Sequence, residues 1–145
     1  MPPRPDPSTL PCGVLDETGG LKYFPRMVQK IRLHQQGRLW EELHQNLGKA
    51  MDRWMCGFLH LNYDELKARV LDGGSDEELL QWCQEHGRPL NETDKLVWNS
   101  YAAKLGWNDH VTPTLHRRKI ENGLEERADI VTMAHYMDVD EGRRE

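Results

Sequence analysis

The chain has 145 residues with a formal net charge of -5, and 37% of them are hydrophobic against 30% charged. A chain of this size forms one domain that buries roughly two-thirds of the surface its unfolded form exposes, and a mildly acidic balance opposes a nucleic-acid partner, which needs a basic face to displace counterions. Met1 to Gly20 hold no apolar signal-peptide core, and no segment approaches the ~18 apolar residues that suggest a membrane span, so the expectation is a cytoplasmic protein without a membrane partner.

Pro2, Pro3, Pro5, Pro7 and Pro11 crowd the start of the chain, and proline removes amide donors and is excluded from helix interiors. Residues 1–20 are therefore read as a Pro-rich extended tail and turn with no assigned function, and residues 21–145 as a single helical domain. Leu21, Phe24, Met27, Val28 and Ile31 recur at helical spacing before Gly37 offers a left-handed stop, which predicts the first core helix. Gly48 and Gly57 punctuate the next stretch, suggesting a short helix near Leu39 to Leu47 and another near Lys49 to Leu59.

Four helix starts follow. Asn62, Ser75 and Asn91 each place a short polar side chain where it can accept from first-turn amides, Glu65 and Glu78 can complete capping boxes, and Thr112-Pro113 puts proline at the first helical position. The helix from Asn62 ends at Asp72-Gly73-Gly74; the one from Ser75 carries Leu79, Leu80, Trp82 and Cys83 as far as Gly87. Asn91 opens a helix with Val97, Trp98, Tyr101 and Leu105 apolar, Thr112 opens one running to about Asn122-Gly123, and a last helix carries Ile130, Met133, Ala134 and Met137. No period-two alternation is long enough for a convincing strand. The expected fold is all-α, a single compact bundle of about six or seven short helices.

The ordered series Leu21-x-x-Phe24-Pro25-Arg26-Met27, Gly73-Gly74-Ser75-Asp76-Glu77-Glu78-Leu79-Leu80-x-Trp82, Trp98-x-x-Tyr101 and Asp138-x-Asp140-Glu141-Gly142-Arg143 resembles the bacterial proteins grouped as domain of unknown function 5069. The resemblance covers Leu21 to Arg143 and has no matching motif between Gly37 and Gly48. It implies a small helical bacterial protein, and it brings neither catalytic residues nor a cofactor.

Candidate chemistry is incomplete wherever it occurs. Glu41-x-x-His44 and His135-x-x-Asp138 each place a carboxylate and an imidazole on one helix face, and two such helices facing each other would supply four metal ligands. Di-iron bundles need Glu-x-x-His twice plus two further Glu residues, and only one such pair occurs, so chance spacing is the simpler account. Asp138-x-Asp140-x-Gly142 resembles a calcium loop but has glycine at the wrong position and too little chain after it. Cys56 and His60 lie one turn apart, yet the run Trp54 to Leu59 is apolar and a thiol there is expected to be inert. With Cys12 and Cys83, the cysteines number three and form no Cys-x-x-Cys, which fits a reducing compartment. His116-Arg117-Arg118-Lys119, the one basic run, is followed by acidic residues and reads as a solvated face.

Two features point to a ligand. Trp40, Trp54, Trp82, Trp98 and Trp107, with Met27, Met51, Met55, Met133 and Met137, could line an apolar cavity for a planar molecule or simply fill the core of a short-helix bundle. Arg26 falls among apolar residues and requires a carboxylate, for which Asp52 is the simplest internal partner; alternatively Arg26 and Lys30, one turn apart, face a pocket and receive an anionic ligand. The expected function is a small cytoplasmic ligand-binding or protein-interaction module without catalytic activity or cofactor, its ligand site being Arg26, Lys30 and Asp52. The alternative is a small enzyme using Glu41, His44, His135 and Asp138, the four side chains that would bind a metal ion.

Overall fold

The computed structural model describes residues 4–145, so Pro2 and Pro3 of the proline-rich stretch lie outside the described residues. Seven α-helices are formed among those residues: α1 (Phe24–Gln35), α2 (Met51–Leu59), α3 (Tyr63–Leu71), α4 (Asp76–His86), α5 (Glu92–Lys104), α6 (Thr112–Glu121) and α7 (Met133–Asp140). Two strands of two residues each, β1 (Glu17–Thr18) and β2 (Leu21–Lys22), pair antiparallel, with Thr18 opposite Leu21. The fold is an all-α bundle, as the helical periodicity predicts. No helix among the described residues is long and apolar enough to cross a membrane.

Helix α1 is central. Its predicted face, Phe24, Met27, Val28 and Ile31, is buried, and it packs against α3, α4 and β1. Leu21 is equally buried but belongs to β2 rather than to the first helix. The reason is the Gly19–Gly20 pair, whose φ angles of 56° and 79° suit a tight hairpin turn, together with Tyr23 at φ 75°, which delays the helix to Phe24. Trp98 ties this hairpin to α5 through its indole N–H, which donates to the Lys22 carbonyl at 2.8 Å. On α5 the buried positions are Trp98 and Ala102, with Leu105 buried just past its end, so Val97, predicted apolar-face, points to solvent.

The proline-rich segment is irregular apart from a 3-10 turn at Pro7–Thr9, capped by the Asp6 side chain. It is fastened to α1 and to the chain after it: the Cys12 amide donates to Gln29 at 2.7 Å, and the Trp40 amide donates to the Thr9 carbonyl at 2.9 Å. Between α1 and α2 the expected short helix is a 3-10 stretch, Glu41–Asn46, in which Leu43 alone is buried. One apolar contact gives too narrow a stripe to hold a regular α-helix against the core.

Caps explain the next three helices. Asn62 accepts from the amides of Asp64 and Glu65, and Ser75 from that of Glu78. The reciprocal capping box forms at Asn91 and Asp94, whereas Glu78 reaches the Ser75 hydroxyl instead of its amide. Thr112 is not a cap: it is the first residue of α6, and its hydroxyl bridges the Asp109 amide and the Gly106 carbonyl. The final helix is capped by Thr132, which accepts from the His135 amide.

Candidate functional site

A cavity of about 290 Å³ opens between α1, α2, α6 and α7, with the Glu41–Asn46 stretch at its edge. Its walls are mainly apolar. Met51 and Trp54 come from α2, Met133 and Met137 from α7, and Leu105 and Val111 from the ends of the α5–α6 connection. Of the tryptophans and methionines that the sequence offers as cavity lining, these four of α2 and α7 line it, while Met27 and Met55 fill the core and Trp107 is 56% exposed.

The polar end is built on α1. Arg26 is 2% exposed and grips Glu141 with both terminal nitrogens, Nη1 to Oε1 at 2.8 Å and Nη2 to Oε2 at 2.6 Å. Nη1 also donates to the Cys12 carbonyl at 2.9 Å, and Glu141 takes a further bond from Arg143 at 2.6 Å. One turn later, Lys30 Nζ lies 3.0 Å from both oxygens of Asp52, which is wholly buried. Asp52 also accepts from the Tyr23 hydroxyl and from the Gly48 amide, the latter at 3.0 Å. Gly48 is required there: its φ is 73°, and an added Cβ would meet the Tyr63 ring at 2.9 Å.

The predicted pairing of Arg26 with Asp52 is thus corrected. Arg26 takes Glu141 and Asp52 takes Lys30, because the end of α7 docks over the first turns of α1 and delivers a carboxylate to the longer, forked cation. Arg26 and Lys30 both line the cavity; Asp52 does not, and is the fixed counter-charge of Lys30 alone.

Burial and pairing set the proton affinities. Burial acts to raise the Glu141 carboxyl, but its bonds to Arg26, with the charges of Arg26 and Arg143, hold it below the ordinary range. Lys30 is lowered by burial against the opposing pull of Asp52, and the Tyr23 hydroxyl is pushed far up by burial and by Asp52. Asp140, also in the cavity wall, differs: burial, with Glu42 and Glu141 nearby, raises it to about 6, and Arg118 opposes that rise. The Asp140 carboxylate forms no ion pair among the described residues, and Nε of Arg118 is buried without an acceptor.

Ala50, in the wall at the start of α2, has φ 51° and ψ -122° with no side-chain cap. With the Asp52 amide donating to the Lys49 carbonyl at 3.2 Å, this is the geometry of a type II′ turn, in which that position normally requires glycine. Held by a residue with a Cβ, it stores strain of order 1–3 kcal/mol.

Every cavity residue falls within residues 9–143, which match the family described as Domain of unknown function (DUF5069). The chain belongs to that family. The family's description names no activity, and a search of curated proteins found no match to the chain.

The other candidates separate. Glu41 and His44 lie in the 3-10 stretch, where the His44 ring meets His34 edge-on and bonds the Leu39 carbonyl. His135 and Asp138 lie on α7, with Asp138 turned towards Arg143. No group of three or more His, Cys, Asp or Glu side chains among the described residues is placed to hold a metal ion. Burial pushes the thiols of Cys56 and Cys83 up to about 12 and that of Cys12 to about 11, so none is a ready nucleophile. The basic run divides: His116 and Arg117 are exposed, Arg118 enters the cavity wall, and Lys119 is buried, donating to the Arg127 and Ile130 carbonyls at 2.6 and 3.0 Å. It is therefore not one solvated face.

Among the residues that sequence reasoning did not bring to the cavity are Tyr23, Glu141, Asp140 and Arg118. Glu141 and Asp140 stand in the resemblance motif at the end of the chain, but as a run of acids beside Arg143 they carried no sign of facing inward. Arg118 was hidden inside a basic run.

Proposed function

We propose that this protein binds a small molecule in the cavity between α1, α2, α6 and α7, and acts by binding rather than by catalysis. The observation that supports this most directly is the cavity's construction, apolar walls closing on a polar end that is fixed before any ligand arrives. Arg26, Lys30 and Tyr23 are each held by a buried carboxylate, so the end of the cavity keeps its shape and costs little reorganisation on binding. A volume of about 290 Å³ suits a compact ligand. Against catalysis, the three thiols and the Tyr23 hydroxyl are all held protonated, and Lys30 is engaged with Asp52. The three free cysteines support a reducing, cytoplasmic setting.

Calorimetric titration with indole, a planar apolar probe, tests the reading. Indole is expected to bind the native protein and to lose that binding in Thr114→Trp, which fills the cavity from α6 while the melting transition is retained. Binding unaffected by Thr114→Trp, or no binding to the native protein, contradicts it.

A further inference from the structure

The cavity wall carries four cationic side chains, Arg26, Lys30, Lys49 and Arg118, against two acids, Asp140 and Glu141. Two of the cations are already answered, Arg26 by Glu141 and Lys30 by Asp52. Arg118 is not: it lines the cavity and forms no ion pair among the described residues. A guanidinium in a largely apolar wall without a counter-charge favours an anionic oxygen, the partner that its fork fits best. The apolar side chains Met51, Trp54, Met133 and Met137 lie in the same cavity and leave room for a hydrocarbon or aromatic body.

We infer that the ligand is a small organic acid, whose carboxylate bonds Arg118 and whose apolar body lies against Trp54 and the methionines, with Asp140 taking up a proton as the acid binds. The inference rests on the cavity being the binding site. Asp140 cannot keep its own charge beside an incoming carboxylate without strong repulsion, and a protonated Asp140 can donate a hydrogen bond to that carboxylate instead. The groups facing Asp140 are Glu42 from the 3-10 stretch, Arg117, Arg118 and Glu121 from α6, Tyr136 from α7 and Glu141 just past its end. At a pH near 6 the free carboxyl, raised to about 6, is already half protonated before the ligand arrives.

Three probes of one shape, phenylpropanoate, phenylpropanamide and phenylpropylamine, separate the charge preference from apolar burial. Calorimetry near pH 6 should find the carboxylate bound about tenfold more tightly than the amide or the amine. As pH rises through about 6, its affinity should fall, and in buffers of different ionisation heat its binding should take up a fraction of a proton that grows towards one. Arg118→Gln should bring carboxylate and amide to equal affinity. Asp140→Asn should keep the preference for the carboxylate and abolish proton uptake. An amine or amide bound as well as the carboxylate overturns the inference, as does carboxylate binding that Arg118→Gln leaves unchanged or that takes up no proton. Binding of indole without binding of phenylpropanoate removes the organic acid and leaves the cavity reading standing; failure of both removes both.

Discussion

Helices α3, α4 and α5 obey the local rules of helix formation, and the helices that build the cavity mostly do not. Asn62, Ser75 and Asn91 cap the first group through their side chains, whereas α1 begins at left-handed Tyr23, α2 at strained Ala50 and α6 at Val111, none with a side-chain cap. The capped α3 and α4 give no residue to the cavity, and only Leu105, just past the end of α5, reaches it, while α1 supplies Arg26 and Lys30, α2 Met51 and Trp54, and α6 Thr114 and Arg118. Helix α7 does both, being capped by Thr132 and lining the cavity. Natural sequences depart from local consistency where function or strain requires it, and here the departures gather around one space. Tertiary contacts replace caps there. Arg26 and Glu141 hold α1 to α7, and Tyr23 and Lys30 hold α1 to α2 through Asp52.

The largest effect expected from this contrast is in the buried pairs. Glu141→Ala leaves the Arg26 guanidinium buried without its counter-charge and should destabilise by about 3–5 kcal/mol in urea denaturation. Combining Arg26→Met with Glu141→Leu should recover much of that loss, and strict additivity of the single changes would show that the pair does not act as a unit.

Smaller effects should have opposite signs in the two groups. In the capped helices, Ser75→Ala or Asn91→Ala removes an acceptor for a first-turn amide and should cost on the order of 1 kcal/mol, with the fold unchanged by circular dichroism. In the cavity wall, Asp140→Asn should stabilise. The Asp140 carboxyl is raised to about 6 when folded against roughly 3.9 when unfolded, so its charge opposes folding above that range and its contribution improves as pH falls. After allowance for partial solvent screening, the variant should be more stable by about 1 kcal/mol near pH 8, with the gain fading to nothing by about pH 4. A gain that persists at low pH would assign the effect to something other than this ionisation.

The smallest expected change is at Ala50. Glycine adopts φ 51°, ψ -122° without a Cβ clash but is more flexible when unfolded, so Ala50→Gly should raise stability by no more than about 1 kcal/mol. A loss of stability on thermal denaturation would mean that the alanine methyl is held by favourable contacts and that little strain is stored.

What the sequence determined by itself is everything that rests on neighbours a few residues apart. The caps at Asn62, Ser75 and Asn91 act over two or three residues, and the buried faces of α1 and α4 repeat within a turn, so periodicity and short polar side chains suffice to read them. The same local reading placed Arg26 and Lys30 together on one face, and both do line the cavity. It could not assign their partners. Arg26 and Lys30 are one turn apart, and either could have reached Asp52; the choice falls to the docking of α7, which brings Glu141 to Arg26 across 115 residues of sequence. Chain folding also decided that Asp140 and Arg118, unremarkable in an acidic tail and a basic run, meet the same cavity, and that Glu41 and His44 remain on the edge stretch while His135 and Asp138 lie on α7. Spacing along a helix fixes which side chains share a face, and only the packing of helices distant in sequence fixes what that face meets.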